Sequence, residues 1–478
     1  VSLSLKYRIL YLVVGIFVLA NMLLTFHEVY WLNLLPLGLL VIGLALFRLD
    51  IILLFIVFCT PLSVGLEALE FNLGVHLPTE PLMAGAMLVF LVKVFYDKRY
   101  PMDVLKHPLS FAILLNLFWL FLTIFPSELP VVSIKFLVSR LWFVTTFYFM
   151  AVLLFKDDRN IERFFWLFIV SLSGVVVYTI INHGLRGFAE KPAHWVMQPF
   201  FKDHTSYGAI IAMFIPVVFS FFYNPRFSLN TKIISGFFFV ILLAGVILSY
   251  TRAAWVSIIG AIAVFYFIKY RVKLWAIFAM AGVGLFILLN FQTQIIQKLE
   301  KNKQDSSNNL SEHVESISNV ATDASNLERL NRWNSALKMW MERPIFGHGP
   351  GTYSFLYAPY QHSSQLTIIS TNFGDGGNAH SEYFGPLAEA GVLGLLTFLV
   401  IIFFIYYKGI RLYQALEPGR MRLTVMAVIM GLTTYLIHGV LNNFLDTDKA
   451  SVPFWGFAAI LVAIEVYHSK PSEELNRQ

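Results

Sequence analysis

Charge is what this chain lacks most: only 13% of its 478 residues are Asp, Glu, Lys or Arg, about half the roughly 25% of soluble domains. With 57% hydrophobic residues and a mean hydropathy of +0.68, that shortage excludes an ordinary soluble domain. Cysteine is nearly missing too. The single Cys59 has no intrachain partner, so no intrachain disulfide holds the fold and the redox compartment is not written in the sequence. No Gly-Lys-Ser/Thr follows a glycine-rich stretch, which excludes a Walker A loop. The formal net charge of +6 follows from how the loops are charged, so it gives no reason to expect a nucleic-acid partner.

Apolar runs fill the space that charge leaves. A helix needs about 20 residues to cross a ~30 Å hydrocarbon core. Runs of this kind are predicted near 8–26, 31–48, 50–66, 79–96, 108–125, 129–155, 163–182, 205–223, 231–249, 252–268, 274–291, 383–407, 422–442 and 451–467. They describe an all-α polytopic membrane protein organised as an N-terminal bundle (1–291), a large polar loop (292–382) and C-terminal membrane helices (383–478). Lys6 and Arg8 precede the first run as in a signal peptide, but its length and the missing small-x-small site predict a retained helix.

Alternate loops are basic. Arg48, Lys93 to Lys106, Lys156 to Arg163, Arg226 and Lys232, Lys269 to Lys273, and Lys408 to Arg422 fall on one side with both termini. The turns between them at 27–30, 67–78 and 126–128 carry no Lys or Arg. Because Lys and Arg of short loops stay cytoplasmic, both termini are predicted inside and 292–382 outside.

Positive charge on the translocated side is then the exception that the topology rule does not supply. Arg186, Lys191 and Lys202 lie between the seventh and eighth runs, with His183, His194, Asp203 and His204. Arg252 opens the tenth run with almost no loop before it, a costly place for a charge unless it meets an anion or snorkels. Arg329 and Arg332 belong to the large loop. For Arg186 and Lys191 a solvated loop is the competing explanation, while Lys135 and Arg140, inside the sixth run, suit structural roles.

Within the large loop, 300–326 is polar and predicts a flexible or weakly helical excursion. Leu327, Leu330, Trp333, Leu337 and Trp340 or Met341 then recur at helical spacing up to Arg343-Pro344, an amphipathic helix that would lie on the membrane or roof the bundle. Arg329 and Arg332 fall within about one turn and can share a face. Glycine-rich turns follow at 347–351 and 374–377, either to bring backbone N–H groups to a ligand or to reverse the chain. His380 closes the loop at the entrance of a membrane helix. An imidazole there can take a proton from a hydroxyl near neutral pH, or merely cap the helix.

Taken in order, SYTRAAW, ERLNRWNSALKMWMERPIFGHGPGTYSF and NAHSEYFGPLAEAGVLGLL resemble the O-antigen ligase and polymerase superfamily of bacterial polysaccharide assembly, over roughly residues 200–410. The resemblance implies a type C glycosyltransferase-like bundle of about 12–14 transmembrane helices with a large periplasmic loop, working in the inner membrane without metal or nucleotide cofactor. It implies a glycan donor carried on undecaprenyl pyrophosphate and, for a ligase, a lipid A-core acceptor. By motif, Arg252 matches the arginine at a helix start, Arg329 the arginine four residues before a tryptophan, and His380 the histidine at the loop's end. Arg186, Lys202 and His204 fall where the family places further donor-binding residues, although Lys202-Asp203-His204 stands where relatives show an asparagine-containing motif.

On this reading Arg252 and Arg329, helped by Arg332 or Arg186, hold the pyrophosphate, and His380 is the general base of an inverting transfer. Glu382 or Glu389 would orient the ring, or Glu382 would simply serve the helix entry. A polymerase or a protein-glycosylating relative would use the same donor chemistry, and an inactive assembly protein the same fold. A transporter fits less well, because no internal repeat is evident and the polar excursion is one-sided.

Overall fold

The computed structural model of the chain describes residues 5–66, 75–97, 100–224, 227–273, 324–366, 370 and 377–469. Helix dominates, as it must where no water is present to satisfy backbone donors and acceptors. The helices are α1 (Leu5–Phe26), α2 (Leu35–Phe47), α3 (Leu49–Cys59), α4 (Thr79–Asp97), α5 (Pro108–Leu122), α6 (Pro130–Leu154), α7 (Arg159–Gly184), α8 (His204–Tyr223), α9 (Leu229–Leu248), α10 (Arg252–Lys269), α11 (Ala324–Glu342), α12 (Phe384–Ala415), α13 (Arg420–His438) and α14 (Asp448–His468). Among the described residues, ten are long and apolar enough to cross a membrane, and α2, α3 and α5 are shorter apolar helices. This is an all-α polytopic membrane protein. Every predicted run except 274–291 coincides with a helix; that run and most of 300–326 lie outside the described residues.

Which helices form the centre was not visible in their hydropathy. α1 is more apolar than α14, yet α1 buries none of its residues, whereas α14 is buried over 83% of its apolar window. Lipid accepts apolar side chains as readily as a protein interior does, so close packing by small residues marks the centre instead. In α14, a Cβ on Gly456 would come within 2.5 Å of the Phe164 ring. α13 packs against α8 and α10, and α12 against α5 and α11.

The turns sort into two ends. Contacts join the turns near 60–79, 123–130, 184–204, 249–252 and 438–448 to one another and to the large loop: Ser63 and Thr79 bond Asp448, His348 bonds Glu128, and Thr251 bonds the His204 carbonyl. At the opposite end, Arg420 pairs with Asp158 and Glu162, and Lys408 and His107 meet Glu465. The expected basic loops at 156–163 and 408–422 share one end, and the turns near 76–79 and 126–128 lie at the other.

α11 roofs the first of these ends; of its expected apolar stripe only Leu327 is fully buried, and a largely polar face is buried instead. Glu328, Asn331, Arg332, Ser335, Ala336 and Met339 are buried, while Leu330, Trp333, Leu337 and Trp340 are half-buried and Met341 is exposed. At ~100° per residue the two stripes lie on nearly opposite sides of the helix. The polar stripe is used inside the loop, where Asn331 bonds Gln361 and Tyr353 bonds the Arg332 carbonyl.

Candidate active site

His380 sits just before α12 with φ 49°, the left-handed region that residues other than glycine seldom occupy. Both its backbone groups are held. Its N–H donates to Asn378 Oδ1 at 3.1 Å, and its carbonyl accepts from Trp333 Nε1 of α11 at 3.3 Å. The side chain is partly buried, with the Asn442 side chain against its ring. Burial first, then the charges of Arg329 and Arg332, pull its pKa down to about 4, against Asp203 and Asn442. At neutral pH the ring is therefore uncharged, with a lone pair available.

The two arginines of α11 do different things. Arg329 reaches across to the α13–α14 connection, donating from Nε to the Leu441 carbonyl at 3.2 Å and from Nη1 to Asn326 Oδ1 at 3.1 Å. Arg332 is held within the protein, 3% exposed, bonded to Glu328 at 2.6 Å and stacked 3.8 Å over the Tyr357 ring. A Cβ on Gly377 would collide with the Arg332 guanidinium, so this glycine is where the loop closes over it. Sharing a helix face did not make the two arginines equivalent.

The connection 438–446 supplies the site's other wall, and sequence reasoning missed it. Its His438-Gly-Val-Leu-Asn-Asn was absorbed into the run at 422–442; the signal was a histidine and two asparagines at the end of a span, on the same side as His380. Glu382 fixes this wall. Its N–H donates to the Gly439 carbonyl at 2.8 Å, and its buried Oε1 accepts from Tyr435 Oη at 2.5 Å and from the N–H groups of Phe444 and Leu445 at 2.6 and 2.9 Å. Below it, Lys449 donates to the carbonyls of Thr60 and Ser63 at 2.8 and 2.9 Å, anchoring α14 to the turn after α3. Glu382 thus positions the wall, and Glu389 accepts from the Tyr353 N–H at 3.0 Å. The ring-orienting role expected of one or the other is replaced by these backbone contacts, because both carboxylates point to amides of neighbouring turns.

Asp203 caps α8, accepting from Ser206 N–H at 2.8 Å. Burial opposes its ionisation, and Thr205, Ser206 and His204 more than offset that, so its carboxyl stays below the usual range. His204 stacks on His194 with centroids 4.2 Å apart, and the helix start at Arg252 docks here through Thr251 Oγ1 to the His204 carbonyl at 2.8 Å. Lys202 is exposed beside Asp446. Arg186 is exposed, its Nη1 donating to the Asn182 carbonyl at 2.9 Å at the end of its own helix. His380, Arg329, Arg332 and Asp203 are thus gathered into one electrostatic environment, with Arg252 one helix start away and Arg186 outside it.

The glycine-rich turn at 347–351 reverses the chain. His348 and Gly349 donate their N–H groups to the carbonyls of Ala388 and Glu389, and Val392 donates to Pro344, filling a break in α12 at Gly391. Gly391 has φ 71°, and a Cβ there would collide with the Ile345 carbonyl. These amides are occupied by protein; most of the second glycine-rich turn, at 374–377, lies outside the described residues.

A neutral imidazole beside guanidinium charge can accept a proton while a departing anion is stabilised nearby. Residues 237–399, which hold Arg252, Arg329, Arg332 and His380, match the O-antigen ligase family. That match covers about a third of the chain. A similar stretch occurs in an uncharacterized protein of Haemophilus influenzae, 24% identical over 139 residues, which is 28% of this chain and 33% of that protein. The similarity spans about a third of that relative's length. The connection at 438–446 lies beyond the matched residues.

Proposed function

We propose that the chain is an O-antigen ligase, which moves a glycan from undecaprenyl pyrophosphate to lipid A-core at the periplasmic face of the inner membrane. The observation that carries this reading is the meeting of His380 with the charges of Arg329 and Arg332 within the stretch that matches the O-antigen ligase family. His380 takes the proton of the acceptor hydroxyl as its oxygen attacks the anomeric carbon. The bond from that carbon to the pyrophosphate oxygen breaks on the opposite face, and the electron pair leaves with undecaprenyl pyrophosphate. The result is inversion in a single step, with no covalent enzyme intermediate.

Arg329 and Arg252 bind the diphosphate, since guanidinium stays charged and matches phosphate oxygens with paired donors. Arg332 adds charge from a fixed position. A base at about 4 is weak, but the negative diphosphate opposes the arginine charges and raises it as the donor enters. The base is strengthened when it is needed.

The test offers purified protein undecaprenyl-pyrophosphate glycan with lipid A-core in one reaction and with a second lipid-linked glycan in another. Transfer to lipid A-core is expected. Elongation of the second glycan instead would make the chain a polymerase, and no transfer in either reaction would overturn the reading.

A further inference from the structure

His438, the last residue of α13, is 1% exposed, and among the described residues neither of its ring nitrogens has a hydrogen-bond partner. Asn442, 3% exposed, leaves its Nδ2 in the same condition. A buried polar group without a partner costs roughly 1–3 kcal/mol, and about 90% or more of such groups in native proteins are satisfied. Three such atoms within five residues are a costly arrangement.

The backbone between them is engaged at both sides: Gly439 accepts from Glu382, and Leu441 accepts from Arg329. The connection is therefore held rigidly while its side-chain donors stay open. Arg329, Asp203 and His204 face His438, and Asn442 lies against His380. An amide Nδ2 only donates, so whatever satisfies it must be an acceptor. Arg329 beside both residues makes that acceptor anionic rather than cationic.

We propose that His438 and Asn442 form the neutral half of a diphosphate clamp, donating N–H groups to phosphoryl oxygens of the lipid-linked donor while Arg329 supplies the charge. This rests on the glycosyltransferase reading and adds two binding residues to it. It also accounts for the unsatisfied His438 ring nitrogens and Asn442 Nδ2, since the ligand supplies acceptors and the unliganded protein bears the cost.

The test measures binding of undecaprenyl pyrophosphate to the full chain in nanodiscs, together with thermal unfolding of the unliganded protein. His438→Phe keeps a ring beside Phe444 and removes the donors; Asn442→Asp keeps the shape and opposes the phosphate charge. The expected result is about tenfold weaker binding for His438→Phe and about a hundredfold for Asn442→Asp, the losses of ~1.4 and ~2.7 kcal/mol that these ratios represent. The unliganded His438→Phe protein should melt no lower than wild type. Wild-type affinity in both variants overturns the clamp and leaves the glycosyltransferase reading standing. Weaker binding that tracks a lower melting temperature assigns a packing role and also overturns it. A wild-type protein that does not bind undecaprenyl pyrophosphate overturns both readings.

Discussion

The two ends of the bundle both carry ion pairs, but they differ in the polar groups that stand outside those pairs. At the end away from the large loop, Arg420 meets Asp158 and Glu162, and Lys408 and His107 share Glu465. At the other end Arg329 bonds a backbone carbonyl and an asparagine, His438 is buried with no partner for its ring among the described residues, and His380 is kept uncharged. Charges that serve orientation can be neutralised once the chain is inserted. On the proposed function the groups of this second end stay available to a substrate, beside a scaffold that Glu382 and Lys449 tie together.

Breaking the active end should produce the larger effects. His380→Ala should reduce transfer by about 10²–10⁴-fold, the usual contribution of a general base, with unchanged insertion in the membrane. Full activity in a glycan-transfer assay would remove His380 from the mechanism. Glu382→Ala strips the acceptor from Tyr435 and two backbone amides at once, and at about 1–3 kcal/mol per orphaned donor it should lower the thermal midpoint measurably and reduce activity through misplacement of the wall.

Arg329→Gln sharpens the comparison through pH. A free-enzyme pKa of about 4 keeps His380 in its neutral, basic form at all higher pH, so kcat/KM should hold down to that region and fall below it as the ring protonates. Removing the Arg329 charge raises the His380 pKa, and the acid limb should shift upward; an unmoved limb would separate Arg329 from His380. The smallest effect is expected at the opposite end. Arg420→Ala breaks a half-exposed ion pair, which should cost no more than about 1 kcal/mol in unfolding and leave transfer unchanged.

Much of this is legible in the order of amino acids alone. His380 and Arg329 stand out because each breaks a local rule, a titratable group at a helix mouth and a cation on the translocated side. The helix over 324–342 is legible from its spacing, but not the face it buries, because apolar residues at a membrane boundary gain as much from lipid as from protein. His438 and Asn442 are hidden for a related reason. A polar residue at the end of a hydrophobic run looks like the end of the run, and only the approach of Arg329 and His380 distinguishes a wall of the site from a helix terminus.

The sequence by itself determined the helices, their alternation between two ends and the excess of positive charge at one of them, since each is a property of neighbouring residues. Tertiary structure decided that α14 is central and α1 peripheral, that Arg332 pairs with Glu328 while Arg329 crosses to Leu441, and that residues 203, 329, 380 and 438 share one environment. Those outcomes depend on which helices pack together across more than two hundred residues of chain. Packing of that kind is set by shape and by the partners available in three dimensions, and consecutive residues do not record it.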